Sequence, residues 1–222
     1  MEADLAVNMI NKINTGNEKA RIGTIIMDDD SSTMAKINRE SKQPIKKISD
    51  INHVKKSLGN ALYAMKQQYK ELKPKVIKYI QRCFGKALVQ NKNNPDAVQK
   101  CLLNIPQHMF GNHSDCRECG NWCKYHISPT KYKHKSLPYG RNLTNTSLKL
   151  RLEKLFKVYA NNAEKLAPYG STLSNESFNN TVASKAPKNR YYSGSESLDY
   201  RVGAAVSQKN MGNHYICEVI NN

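Results

Sequence analysis

The chain has 222 residues, with 35 Lys and Arg against 18 Asp and Glu, a formal charge of +17 and a pI near 9.6. That length gives one large domain or two small ones, and such a charge excess favours a polyanionic partner, nucleic acid before any other. No apolar run is long enough to cross a bilayer, and "MEADLAVNMI" lacks the basic start and long apolar middle of a secretory signal, so the six cysteines read as thiols or metal ligands ahead of disulfides.

In chain order, residues 2–14 read as a helix with Leu5, Ala6, Met9, Ile10 and Ile13 on one face. A turn over 14–20 leads to an Ile-rich strand at 21–27, closed by Asp28, Asp29 and Asp30. Ser31 or Ser32 can cap a second helix to about residue 40, and 43–49 can hold a short strand. Val54, Leu58, Leu62, Met65 and Tyr69 recur at helical spacing over 52–69. Pro74 opens a further helix carrying Ile77, Ile80, Phe84 and Leu88, and Asn94-Pro95 starts another. Residues 107–140 look irregular; helices return over 147–162, 173–184 and from about Ser195 to Gly212. The chain is therefore mostly helical with one clear strand. A lone strand leaves its edges unpaired, so it pairs within the chain, with a partner, or with strands upstream of Met1.

Three features carry chemistry. A carboxylate at the carboxyl end of a strand is rigidly held and faces solvent, where two-metal nucleases and polymerases place theirs; the alternative is a strand-to-helix turn with Asp as cap. His113, Cys116, Cys119, Cys123 and His126 fall within fourteen residues, with His108 and His134 close by. Zn2+ takes four N or S donors from such a window, and five candidates leave the choice open; the alternative is a loop of free thiols with Trp122 packed on the helices. Cys83, Cys101 and Cys217 read as buried thiols. Finally, from Lys36 to Lys92 there are fifteen Lys or Arg against three Asp or Glu. Within it Tyr63, Tyr69 and Tyr79 interleave with Lys66, Lys70, Lys73, Lys75 and Lys78, as stacking on unpaired bases requires, unless the rings simply half-bury on helix surfaces.

The stretches "SDINHVKKSLGNAL" (49–62), "GNHSDCRECGNWCKYH" (111–126), "YKHKSLPYG" (132–140), "GSTLSNESFNNTVASKAPK" (170–188) and "YYSGSESLDYRVGAAVSQKNMG" (191–212) together resemble the Mutator-like transposase domain, over about residues 2–215. The resemblance implies an RNase H-like core with an Asp-Asp-Glu triad. It sets Asp28 at the second Asp, with Asp30 the next candidate, and Glu176 at the Glu, flanked by Asn175 and Asn179. A Glu in the first turn of a helix is also favoured by the macrodipole without catalysis. Asp50 stands where relatives carry the Cys of a Cys-x-x-His signature, with His53 in place. That assigns His53 to DNA positioning or the active-site wall, a buried structural His being the alternative. The resemblance points to His113, Cys116 and Cys123 as zinc ligands, with Cys119 or a histidine such as His126 as the fourth.

The first catalytic Asp of the pattern lies in an Asp-Gly motif, and these residues contain no Asp-Gly step. The expected fold class is thus α+β, mostly helical: a partial RNase H-like core lacking its first three strands, with a large helical insertion. The expected domains are 1–50 (core with the second Asp), 51–165 (insertion with the Cys/His loop 108–134) and 166–222 (core helices with the Glu). The resemblance implies Mg2+ or Mn2+ at the carboxylates, a second ion (Zn2+) at the Cys/His loop, DNA as partner, a homo-oligomer, no membrane, and a nuclear location. Phosphate contacts are expected from Lys55, Lys56, Lys66, Lys70, Lys73, Lys75 and Lys78, and from the loop carrying Lys185, Lys188 and Arg190. With two of three carboxylates, the chain alone is expected to show little strand transfer. The alternative reading is a non-enzymatic, basic, zinc-containing DNA-binding module.

Overall fold

The computed structural model describes residues 2–16, 20–28, 31–192 and 194–216. Asp30 and Cys217 lie outside the described residues. The chain divides into two units, Met1–Ser171 and Thr172–Asn222.

The first unit opens with helix α1 (Glu2–Thr15), strand β1 (Thr24–Met27), helix α2 (Ser31–Glu40) and strand β2 (Lys46–Ser49). The Ile-rich strand has a neighbour after all: β2 pairs with it in parallel, Thr24 opposite Lys46 and Met27 opposite Ser49. Backbone bonds extend the ladder past both ends, from Lys46 N to Gly23 O (2.9 Å) and from Asp50 N to Met27 O (3.1 Å). Helix α2 is the crossover that a parallel pair needs. Val7, Ile10, Ile37 and Ile45 form a small core between α1, α2 and the sheet, with Ile25 and Met34 packed on it. Asn14 fastens the end of α1 to the strand entry, accepting from Ile22 N (2.7 Å) and donating to Ile22 O (3.3 Å).

Five helices follow: α3 (Ile51–Lys66), α4 (Pro74–Gln90), α5 (Pro95–Met109), α6 (Thr146–Ala160) and the single turn α7 (Ala163–Leu166). Their starts are written in the sequence. Asp50 accepts from Asn52 N and His53 N, Asn94 from Ala97 N and Asn145 from Leu148 N, while Pro74 and Pro95 sit where a missing N–H costs nothing. The expected helix over 52–69 stops at Lys66, and Tyr69 belongs to the turn that follows. The apolar stripes of α3 to α7 meet in one large core in which Phe84 contacts Phe156 and Tyr159 edge-on. Residues 114–140 cross this bundle as a series of short 3-10 turns and bury Trp122 and Leu137 in it. Gly170 lies against the sheet so closely that a Cβ there would come within 2.7 Å of Ile48 Cγ2, and its carbonyl accepts from Ile51 N.

The second unit consists of α8 (Leu173–Lys185) packed on α9 (Ser197–Met211). Its packing is thin: no residue of α8 is buried, and in α9 only Ala205 is. Arg201 ties the pair together, donating to Lys185 O and lying 4.8 Å from the Tyr192 ring centroid.

Candidate functional site

The carboxyl end of β1 carries Asp28, immediately beyond the last paired residue. Its Oδ2 lies 3.1 Å from His53 Nδ1, with both side chains about half exposed. His53 is in the first turn of α3, which Asp50 caps; Asp50 is buried and its own N–H bonds to the last residue of β1. Strand, cap and helix are therefore one rigid joint, and it gathers Asp28, Asp50 and His53 so that one donor atom from each falls within 4.8 Å of the others. His53 is thus exposed beside the carboxylate rather than buried in the core.

The second cluster is buried. His108, at the end of α5, meets His113, Cys116 and Cys123 from the irregular segment, and all four donor atoms lie within 4.8 Å of one another. The two Nδ1 atoms are 3.1 Å apart; Cys116 Sγ is 3.4 Å from His108 Nδ1 and 3.8 Å from His113 Nδ1, and Cys123 Sγ is 3.6 Å from His113 Nδ1. Zn–N and Zn–S bonds of about 2.0 and 2.3 Å at tetrahedral angles separate the donors by roughly 3.3 to 3.8 Å, so the spacing fits one small ion. All four side chains are closed off from solvent, in the manner of a structural rather than a catalytic metal site. Hydrogen bonding with Cys116 holds the Cys123 thiol well down, while the same contact and burial push Cys116 up. Burial, reinforced by His108, lowers the His113 pKa and keeps that ring neutral, the form that ligates. This buried set can hold a metal such as zinc.

The surroundings orient the donors, as outer partners at metal sites do. Tyr79 OH lies 2.9 Å from His108 Nε2, which leaves Nδ1 facing the cluster. Asn104 Nδ2 donates to Cys116 Sγ at 3.4 Å and to Cys119 Sγ at 3.7 Å. Tyr125 stacks on His113 at 4.2 Å, and Trp122 meets His108 edge-on at 4.6 Å. Of the expected fourth ligands, Cys119 falls outside the four-donor group and its thiol hydrogen-bonds with Cys101, while His126 Nε2 donates to the His113 carbonyl at 2.7 Å. The fourth place goes to His108. In the sequence His108 stands out only as a neighbour of the window, Asn104 not at all, and Tyr79 only as one of the tyrosines interleaved with lysines. Polar residues on the buried stripe of α5 (Asn104 and His108 beside Cys101 and Ile105) were the signal for the first two.

The basic stretch keeps its charge outward. Its three acids are occupied: Glu40 pairs with Arg39, Asp50 caps α3, and Glu71 accepts from Thr144 N, Thr144 Oγ1 and Asn145 N. Lys56, Lys66, Lys70, Lys73, Lys75 and Lys78 are exposed, and Lys55 donates to Tyr169 OH at 2.8 Å. Of the interleaved tyrosines, Tyr63 is exposed, Tyr69 OH bonds Ser147 Oγ and Tyr79 serves His108. In the second unit, Glu176 is exposed in the first turn of α8 with Asn175 and Asn179 exposed near it; Lys188 and Arg190 are exposed, and Lys185 donates to Tyr215 OH.

Residues 1–123 match the model of the Mutator-like transposase family, so the match covers more than half of the 222 residues. The chain belongs to the Mutator-like transposase family. The matched span contains Asp28, His53 and all four donors of the buried cluster; Glu176 lies outside it. No curated protein and no solved structure matches the chain. Among the described residues no helix is long and apolar enough to cross a membrane.

Proposed function

We propose that this chain is a DNA transposase-type domain whose ancestral reaction is metal-dependent phosphodiester cleavage and strand transfer at transposon ends. The observation that carries the reading is family membership over a span in which Asp28 directly follows β1 and His53 lies beside it. The parallel β1–α2–β2 unit supports descent from an RNase H-like core, with α3 to α7 as the helical insertion. Asp28 and Glu176 are the carboxylates we assign to the Mg2+ or Mn2+ ions, with Asp30, Asn175 and Asn179 as auxiliaries. Such ions, when bound, activate water and stabilise the leaving oxygen. His53 holds the Asp28 carboxylate in one orientation at the end of the strand. DNA is gripped by its phosphates through the exposed lysines of α3 and α4 and through Lys185, Lys188 and Arg190; the site of action is the nucleus. Zinc is the metal we assign to His108, His113, Cys116 and Cys123, where two sulfurs and two imidazole nitrogens suit a borderline-soft ion and would lock the irregular segment onto α5.

The test is binding and nicking of a labelled duplex with Mg2+ or Mn2+, by wild type, Asp28→Ala and Glu176→Gln. With two of the three carboxylates, these 222 residues are expected to bind duplex and to cut it weakly or not at all. Robust turnover that Asp28→Ala abolishes would overturn the three-carboxylate reading, and failure to bind duplex even at low salt would remove the transposase reading itself. The second reading, a basic zinc-containing DNA-binding module without catalysis, is favoured by the buried donor set being complete within one unit. An Asp-Gly strand encoded upstream at the genomic locus decides against it.

A further inference from the structure

Beside the buried cluster lies a recess of about 440 Å³. Its walls include three aromatic rings, Tyr79, Trp122 and Tyr132, and four lysines, Lys124, Lys131, Lys133 and Lys135. The lysines are exposed and have no carboxylate partner among the described residues. None is near in sequence either, since no Asp or Glu occurs from Cys119 to Leu152. His134 lines the same recess and is buried; its Nδ1 meets Tyr132 OH at 3.3 Å, while its Nε2 has no hydrogen-bond partner.

The rings are fixed rather than adaptable. Tyr79 is bonded to His108 Nε2, and the Trp122 indole N–H donates to Cys119 O at 3.0 Å. A duplex backbone needs only exposed cations, which the lysines of α3, α4 and the turn between them already offer. A concave, aromatic-walled, lysine-rimmed recess of this size instead suits one flat base with its phosphates at the rim. We propose that this recess takes one unpaired nucleotide of DNA, the base stacking among Tyr79, Trp122 and Tyr132 and the adjoining phosphates meeting Lys131, Lys133 and Lys135. The proposal rests on the DNA reading above and deepens it: the domain distinguishes a DNA end with an unpaired base from uninterrupted duplex.

The test uses the 222-residue chain and two probes, a blunt duplex and the same duplex with a short 3′ overhang carrying 2-aminopurine. Wild type should prefer the overhang by at least about fivefold, the scale of one stacked base, and should quench the 2-aminopurine. Tyr132→Leu and the triple variant Lys131→Ala/Lys133→Ala/Lys135→Ala should lose both preference and quenching while keeping blunt-duplex binding; metal content and helical circular dichroism report that they fold. Equal affinity of wild type for both probes, or a preference the variants keep, overturns the recess and leaves the transposase reading standing. Loss of all duplex binding by wild type removes both. Tighter binding of an RNA overhang than of DNA also overturns the assignment.

Discussion

Replacing Tyr79 by Phe removes one oxygen from the buried cluster's surroundings and leaves the ring in place. The hydroxyl lies 2.9 Å from His108 Nε2; Tyr79 is half-buried and His108 has no solvent exposure at all. Without it the Nε2–H is buried and unpaired, at a cost of about 1 to 3 kcal/mol, and the ring loses the contact that selects Nδ1 as its inward nitrogen. At about 1.4 kcal/mol per decade this is roughly a 10- to 100-fold loss of metal affinity, the range found when outer-shell partners of histidine ligands are removed. The assay is competition for Zn2+ against a chromophoric chelator, run on wild type, Tyr79→Phe, His108→Ala and Cys119→Ser. His108→Ala should bind much more weakly than Tyr79→Phe, and Cys119→Ser should bind like wild type, because its sulfur lies outside the four-donor group. If Cys119→Ser releases the metal and His108→Ala keeps it, the ligand set and the reasoning from donor separations are both wrong.

Binding of duplex should fall steeply with salt: five phosphate contacts from Lys66, Lys70, Lys73, Lys75 and Lys78 give a log–log slope near −4.5, or about a 500-fold loss from 50 to 200 mM, and Lys66→Gln with Lys70→Gln should flatten the slope by about two, as measured by fluorescence anisotropy. Asp50→Ala should cost about 0.5 to 2 kcal/mol in urea unfolding, since it leaves the Asn52 and His53 N–H groups uncapped, whereas Asp50→Asn should recover most of the loss. Burial pushes the Cys83 thiol up to about 12 from 9.0. The folded pKa is the higher one, so this contribution to stability is full below about pH 9 and is lost as pH rises towards 12; the folded protein should also resist iodoacetamide at Cys83 at pH 8, and rapid labelling there would contradict its burial. Gly170→Ala would set a Cβ 2.7 Å from Ile48 Cγ2 and 3.1 Å from Ile26 Cδ1, with an expected loss of about 1 to 3 kcal/mol; an unchanged melting curve would mean that the sheet yields there.

Helices were legible because their signals are local. Asp50, Asn94-Pro95 and Asn145 each act within one turn of where they stand, and the 3.6-residue stripes of α3 to α5 require no knowledge of what they face. The pairing of β1 with β2 was not legible, because Lys46 and Lys47 make the second strand polar and its partner lies more than twenty residues away. Three of the four donors of the buried cluster stood out by spacing; His108 did not, since it belongs to a helix and reaches the loop only after the chain has turned back. The recess was invisible for the same reason. Tyr79 read as one of a row of surface aromatics among lysines, and only the packing of α4 against the irregular segment makes it a wall shared with Trp122 and Tyr132.

That irregular segment explains why a metal-sized donor set belongs where it is. Fixing a residue's backbone costs about 1 to 2 kcal/mol, and residues 114–140 meet that cost with little apolar burial apart from their cysteines: Trp122 and Leu137. Short 3-10 turns add few hydrogen bonds per residue, so ordinary packing leaves the segment short of the free energy it needs. A structural zinc ion contributes an apparent ~10 to 16 kcal/mol at neutral pH, and only to a chain that brings its ligands together. Two donors from the segment, with His113 immediately before it and His108 of α5, anchor the least regular part of the chain to its most regular part, and the lysine-rimmed recess lies along that junction. An ion bound there would therefore hold the walls of the recess in register, so that the shape of the proposed nucleotide site would depend on a metal that the nucleotide does not touch.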